Sequence, residues 1–178
     1  MVKVKLKDGS IVTLRWQRTD PKKEDPKKFL KFINPIIREG AYILVNKPVT
    51  LNAERKWVEE SCKKIRRGEL MRLIAEKDGR IIGTCDATRG KFKEKNNVEM
   101  GIAIAKDMRR KGLGYIMLTT VIKKVKEKWK PKNIVLAYIK GYIPAQRLYT
   151  KLGFKEFAVF PKWVKHKNRY YDIIWMKL

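Results

Sequence analysis

The run Arg109-Arg110-Lys111-Gly112-Leu113-Gly114 sets three cations and two glycines within six residues. It lies between an apolar run that reads as a strand, Val98 to Ala105, and one that reads as a helix, Tyr115 to Trp129. Strand, glycine turn and helix start in that order build an anion site. Glycine lets the backbone come close to a ligand, and the first helical turn offers N–H groups that have no intrahelical partner. The helix dipole adds partial positive charge at the same place. A diphosphate fits such a turn. Further along, Leu148-Tyr149-Thr150-Lys151-Leu152-Gly153-Phe154 reads as a short amphipathic helix closed by a glycine, with a strand following at once.

The elements that must hold these runs follow from periodicity and turn residues. Val2 to Leu6 and Ile11 to Trp16 alternate across Asp8-Gly9 and predict a hairpin. Phe29, Leu30, Phe32, Ile33, Ile36 and Ile37 are spaced as one helix face, ended by Gly40, and Ala41 to Val49 is an irregular connector. Ala53 to Arg67 predicts a second helix with Trp57, Val58, Cys62 and Ile65 on its apolar side. Leu70 to Glu76 and Arg80 to Thr88 form a hairpin across Asp78-Gly79, and Gly90 to Asn97 is a polar loop. Val98 to Ala105, apolar on both faces, is the central strand. After the long helix, which Pro131 ends, come a strand at Ile134 to Ile139 and a helix at Pro144 to Leu152. Two last strands, Phe154 to Phe160 and Tyr170 to Met176, are joined by a basic, aromatic loop, Pro161 to Arg169. The order β-β-α-α-β-β-β-α-β-α-β-β predicts a mixed sheet carrying helices in an α/β or α+β domain.

Composition narrows the class. The chain has 178 residues, suited to one domain over 1–178. No apolar run approaches the roughly 20 residues that span a bilayer. The N-terminus carries no signal-like apolar segment, so a cytoplasmic protein without a membrane partner is expected. Two cysteines, Cys62 and Cys85, and the single histidine, His166, leave a zinc site without ligands, so no metal is expected. Each cysteine reads as a small buried hydrophobe. The 44 lysines and arginines against 18 acidic residues give a net charge of +26, a field that attracts nucleic acid, acidic proteins or phosphorylated cofactors. The cations are spread along the chain, and no recognition helix or aromatic stacking motif accompanies them.

Arg109-Arg110-Lys111-Gly112-Leu113-Gly114 resembles the phosphate motif of the GNAT superfamily of acetyl-CoA-dependent N-acetyltransferases: glutamine or arginine, two residues, glycine, one residue, glycine or alanine. Leu148-Tyr149 followed by Gly153-Phe154 resembles that family's late signature, and the element order is similar from Ile11 onward. The resemblance implies a mostly antiparallel central sheet of about seven strands with helices on both faces, splayed between 98–105 and 134–139. Val2 to Leu6 looks like an addition to it. It implies acetyl-CoA as donor, its pyrophosphate cradled by the backbone of Arg110, Lys111, Gly112, Leu113, Gly114 and Tyr115, with charge from Arg109 and Lys111, or those two cations simply solvated. By the same resemblance, backbone groups of Ile102, Ala103 and Ile104 hold the pantetheine arm. Tyr142 stands where the family often has an asparagine that contacts that arm. Tyr149 matches the family's tyrosine acid, which serves the departing sulfur; its other reading is a helix tyrosine packed on the core.

Some members of the family use a glutamate near Glu99 as general base. Glu99 is the one carboxylate within the central strand, ten residues before Arg109. Its other reading is a strand-end carboxylate paired with a lysine. Asp86, on the preceding strand, is a weaker substitute. The position on the following strand where other members carry a base is Ala137. By the same resemblance, the acceptor, a primary amine, would be shaped by Phe32, Tyr42 and Trp57 and by Trp163, His166, Arg169 and Tyr170. A basic, aromatic rim suits an acidic protein or peptide, at its N-terminus or a lysine. The alternatives are a small-molecule amine acetyltransferase, a basic nucleic-acid-binding module without catalysis, and an inactive CoA-binding regulator. His166, alone in a lysine-rich run, reads as a surface residue, and either a monomer or a homodimer is compatible with the sequence.

Overall fold

The computed structural model describes residues 1–166 and 168–178. Eight strands form one sheet in the order β1-β2-β3-β4-β5-β6-β8-β7. They are β1 (Val2–Lys5), β2 (Ile11–Trp16), β3 (Leu70–Lys77), β4 (Arg80–Arg89), β5 (Asn97–Ile104), β6 (Asn133–Ile139), β7 (Lys155–His166) and β8 (Arg169–Lys177). The helices are α1 (Pro26–Arg38), α2 (Leu51–Arg66), α3 (Leu113–Trp129) and α4 (Ile143–Lys151). Every neighbouring pair of strands is antiparallel except β5 and β6, which run parallel. A parallel pair needs a crossover, and α3 supplies it. The expected order of elements stands: eight strands, with β1 the addition to the roughly seven that the resemblance implies.

Alternation along the strands sends side chains to two faces. On one face Ile74 and Ile81 meet Phe29, Phe32 and Ile36 of α1 and Val58 and Cys62 of α2. On the other, Leu73, Cys85, Met100, Leu136 and Met176 meet Met117, Leu118, Val121 and Val125 of α3 and Ala145 and Tyr149 of α4. Both cysteines are fully buried and unpaired, and burial pushes both thiols up. The helix ends follow capping rules. Asp25 accepts the Lys27 N–H ahead of α1, and Thr50 accepts the Ala53 N–H ahead of α2.

Two expectations fail. Strand β5 is apolar along its α3 side, whereas on the α1/α2 side Ala103 packs against the core and Glu99 and Gly101 are left exposed. The segment expected as a loop, Pro161 to Arg169, is largely strand. Val164 pairs with Tyr171, Lys165 with Tyr170 and His166 with Arg169, after an irregularity between Phe160 and Val164. Proline lacks an N–H and is tolerated at a bulge of an edge strand such as β7. Lys162 takes a positive φ of 51° there, and its N–H is accepted by Asp172 Oδ1 at 3.0 Å.

A buried ion cluster fixes the lead-in of α1 to the sheet. Arg15 of β2 donates to both oxygens of Glu24, at 2.7 and 2.8 Å, and to Glu76 of β3 at 2.9 Å. Glu24 also accepts the Arg18 N–H at 2.8 Å, and its side chain is 0% exposed. Removing one partner from such a pair strands the other charge. Glu24→Ala is expected to lose about 3 kcal/mol of stability, measured by urea unfolding, whereas a loss under about 1 kcal/mol would match a surface pair.

Candidate functional site

The parallel pair β5–β6 is joined only from Asn97 with Asn133 to Met100 with Leu136. Beyond that point both strands continue, β5 to Ile104 and β6 to Ile139, without pairing to each other. The sheet therefore forks at Gly101. Along β5 the Ala105 N–H donates to Ile82 O of β4 at 2.9 Å, while Asn96 O accepts from Lys132 and Asn133 on the β6 side. Backbone groups alternate sides along a strand, so those of Ile102 and Ile104 face the fork and those of Gly101 and Ala103 face β4. The fork thus exposes a short row of unpaired backbone donors and acceptors, groups that a folded protein otherwise pairs. Of the three residues expected to hold a donor's arm, Ile102 and Ile104 turn their backbone into the fork, and Ala103 turns its backbone to β4. The Ile102 and Ile104 side chains pack into the α3-side core.

At the end of β5 a single 3-10 turn, Lys106–Met108, leads into the glycine turn. Arg110 has φ +63° and Gly112 φ +87°, so two left-handed residues reverse the chain into α3. No side chain caps α3, and the first backbone bond across its start is Ile116 N–H to Gly112 O at 3.2 Å. The N–H groups of Leu113, Gly114 and Tyr115 open the helix uncapped, which fits an anion there. The two glycines have different jobs. Gly112 supplies the left-handed backbone. Gly114 is helical and buried, and a Cβ there would lie 3.1 Å from both Ile104 Cδ1 and Leu148 Cδ2, so it lets β5, α3 and α4 meet below the fork.

The flanking cations are already engaged. Arg109 pairs with Glu39 after α1 and donates from Nε to Ile104 O at 3.0 Å. Lys111 pairs with Asp8 of the β1–β2 turn at 2.9 Å. The Ser10 hydroxyl and then the Lys111 ammonium hold the Asp8 carboxyl below the usual carboxylate range. The Lys7 N–H donates to Lys111 O at 3.1 Å, and the Lys7 stem lies along Gly112. Arg109 and Lys111 thus brace the turn from its two sides, so neither is simply solvated, and the N-terminal hairpin is one of the braces. Arg110 stays exposed. Nothing in the sequence signals the Asp8–Lys111 contact, which joins opposite ends of the sheet's first half.

Tyr149 of α4 is buried beneath the forked strands. Its ring meets Tyr138 of β6 at 6.3 Å, edge-on, and Phe154 at 6.2 Å. Its hydroxyl has no hydrogen-bond partner among the described residues. Burial above all, then Cys85 and Tyr142, push its phenol well above the usual tyrosine range, so it stays protonated at neutral pH. Tyr142 stacks on Tyr42 of the α1–α2 connector at 5.1 Å. Tyr42 stacks in turn on His166 at 4.9 Å, and Tyr171 closes the group edge-on. His166 is therefore part of an aromatic cluster joining three separate segments, and the reading of it as a surface residue is corrected by that packing. Phe32 is core, whereas Trp163, Arg169 and Tyr170 are exposed.

On the α1/α2 side of the fork stand two carboxylates. Glu99 is exposed and makes no ion pair among the described residues. Asp86 sits on β4 directly across from Gly101. Arg72 of β3 donates to it through Nε at 2.7 Å and through its second terminal nitrogen at 2.6 Å. Sequence reasoning missed Arg72, whose signal is an arginine inside the apolar run Leu70-Met71-Arg72-Leu73-Ile74. A cleft of about 800 Å³ between α1 and the β3–β4 turn is floored by Phe32, Ile36 and Ile81, with Lys27, Lys28, Lys31 and Lys106 around it.

Residues 39–154 match the acetyltransferase (GNAT) family. No curated protein sequence matches the chain. Among solved structures, an N-acetyltransferase from Staphylococcus aureus Mu50 superposes with a TM-score of 0.80 at 19% identity, over 95% of this chain and 98% of that one. A ribosomal-protein-S5-alanine acetyltransferase from Vibrio fischeri reaches 0.83 at 12% identity, over 100% and 96%. A GNAT superfamily phosphinothricin acetyltransferase from Sinorhizobium meliloti, in complex with acetyl-CoA, reaches 0.78 at 16% identity, over 94% and 87%. At these identities the likeness shows the fold.

Gly112→Ala forces a side chain into the left-handed region and onto Lys7. It is expected to lose about 1 kcal/mol of stability and to weaken acetyl-CoA binding by about tenfold in calorimetry. Unchanged affinity would mean that the phosphates lie elsewhere.

Proposed function

The chain belongs to the acetyltransferase (GNAT) family and takes its acetyl group from acetyl-CoA; we propose that it delivers the group to a primary amine of a protein or peptide in an acidic setting, by direct transfer within a ternary complex. The observation that carries this reading is the fork: unpaired β5 backbone runs straight into an uncapped helix start. A thioester donor with an amide-bearing arm and a diphosphate has groups for both. The backbone of Ile102 and Ile104 pairs with the arm, and the first N–H groups of α3 take the phosphates. A fork-facing N–H also polarises the thioester carbonyl, as an oxyanion site does.

An alkylammonium has a pKa of about 10.4, so the acceptor must shed a proton to attack. Glu99 takes that proton, directly or through a water, as the amine nitrogen bonds to the carbonyl carbon. The carbon–sulfur bond then breaks, and Tyr149 supplies a hydrogen bond or a proton to the leaving sulfur. A buried phenol held in its neutral form suits that role. Support for a protein or peptide acceptor comes from charge. A chain of net charge +26 repels polyamines and attracts acidic segments. The similar Vibrio fischeri protein is a ribosomal-protein acetyltransferase by name, which agrees with a protein acceptor.

Two measurements test this. Peptides with a free N-terminus and acidic flanks are expected to exceed spermidine in kcat/KM by about tenfold or more; efficient spermidine turnover without peptide turnover would contradict the acceptor class. Tyr149→Phe is expected to lower kcat by about tenfold or more with acetyl-CoA affinity unchanged. Because the Tyr149 phenol is raised, its acid form persists as pH rises, so wild-type kcat is expected to hold up to about pH 10. A fall in kcat centred at or below about pH 10, absent in Tyr149→Phe, would show an ordinary or lowered phenol instead.

A further inference from the structure

We propose that Asp86, fixed by the buried guanidinium of Arg72, receives the ammonium group of the acceptor over Gly101 and so sets where the amine stands. The inference rests on the reading of the chain as an amine acetyltransferase and adds to it a binding group on β4.

Asp86 and Gly101 are direct cross-strand neighbours, and Gly101 is the residue at which the sheet forks. Directly opposed side-chain positions lie about 5 Å apart. A Cβ on Gly101 would meet nothing within 4 Å, so the space beside Asp86, at the mouth of the fork, is open. Glu99 is paired with Thr88, one step along the same face. It is therefore the diagonal neighbour of Asp86, about 7–8 Å away by strand geometry. An ammonium over Gly101 lies within reach of both carboxylates.

The two carboxylates differ in what holds them. Every guanidinium nitrogen of Arg72 has a partner. Nε and one terminal nitrogen go to Asp86, and the other donates to Gln17 Oε1 and to Ser61 Oγ, each at 2.9 Å. The ring of Trp57 lies 3.9 Å over the guanidinium. The Arg72 side chain is 4% exposed and that of Asp86 30%. The counter-ion is thus locked behind the sheet while the carboxylate faces outward. A carboxylate accepts at about four lone-pair sites, of which Arg72 uses one on each oxygen, so the outward pair remains for an N–H donor. A depression of about 220 Å³, bounded by Trp57, Ser61, Arg72, Asp86 and Thr88, leads to it. In a protein of net charge +26, an incoming ammonium meets long-range repulsion; the Asp86–Arg72 pair is neutral as a whole, and the unpaired charge of Glu99 beside it offsets that repulsion locally. Asp86 holds and orients the cation, Arg72 is a positioning residue, and the unpaired Glu99 is left to take the proton.

The test is steady-state kinetics on the full chain with an acidic peptide bearing an N-terminal alanine, at saturating acetyl-CoA. Asp86→Asn is expected to raise the peptide KM by about tenfold, the loss of one charge-assisted hydrogen bond, with kcat within about threefold. Acetyl-CoA affinity by calorimetry should stay at its wild-type value, while Tm falls, because Asn leaves the buried Arg72 guanidinium without its counter-charge. Asp86→Glu, which keeps the charge, should recover part of the affinity, and Arg72→Lys should raise KM to an intermediate value. An unchanged peptide KM in Asp86→Asn would overturn the assignment. So would a joint fall in Tm, kcat and acetyl-CoA affinity, which marks a purely structural pair. A wild-type protein that binds acetyl-CoA but acetylates no peptide would refute the acceptor reading and this assignment with it. One that fails to bind acetyl-CoA would instead refute the reading of the fork.

Discussion

Two parallel strands that stop pairing halfway along their length govern this molecule. From Gly101 onward β5 has a full partner in β4 and none in β6. Backbone donors and acceptors left in that state inside a fold are costly unless something pairs with them, on the order of 1–3 kcal/mol per buried group. The fork is held open by packing beneath it. Gly114 lets Ile104 and Leu148 come together at the start of α3, and α4 sets Tyr149 against Tyr138 and Phe154 under the diverging strands. Arg109 takes one of the freed acceptors, the carbonyl of Ile104, and leaves the rest facing outward. The arrangement is a strand position prepared for a guest that carries amides.

Around that position the two faces of the sheet divide the work. The α3/α4 face supplies the helix start with its open N–H groups and the neutral phenol of Tyr149. The α1/α2 face carries the carboxylates Glu99 and Asp86, because α1 and α2 cover β3, β4 and Ala103 of β5 and leave the Glu99 end of β5 open. In the proposed mechanism a donor entering between the strands meets its phosphate partners and a proton source on one side, and an amine held between carboxylates on the other. The large excess of positive charge acts at longer range and, on that proposal, favours acidic partners, while the carboxylates at the fork offer a local site for a cation.

Much of this was legible in the sequence because it is local. The glycine turn, the Leu-Tyr and Gly-Phe signature and the order of elements are carried by neighbouring residues and by periodicity. The unread parts depend on register or on distant segments. Arg72 and Asp86 meet only once β3 and β4 are paired in their register. Asp8 and Lys111 meet through a hairpin turn that resembles any other in sequence. Tyr42 and Tyr142 come from connectors without a periodic pattern, and His166 from the end of β7 that the sequence reads as a loop. The extension of β7 was hidden by Pro161, which breaks alternation without ending the strand. Arg109 and Lys111, expected to add charge at a phosphate or to be solvated, are not solvated: they clamp the turn to Glu39 after α1 and to the N-terminal hairpin.

The backbone amides at the fork give the most direct test. Amide hydrogen exchange resolved by residue in NMR is predicted to slow by about tenfold or more at Ile102 and Ile104 when acetyl-CoA is added. Gly101 and Ala103, already turned to β4, should change little. Equal exchange at Ile102 and Ile104 with and without acetyl-CoA would contradict the account.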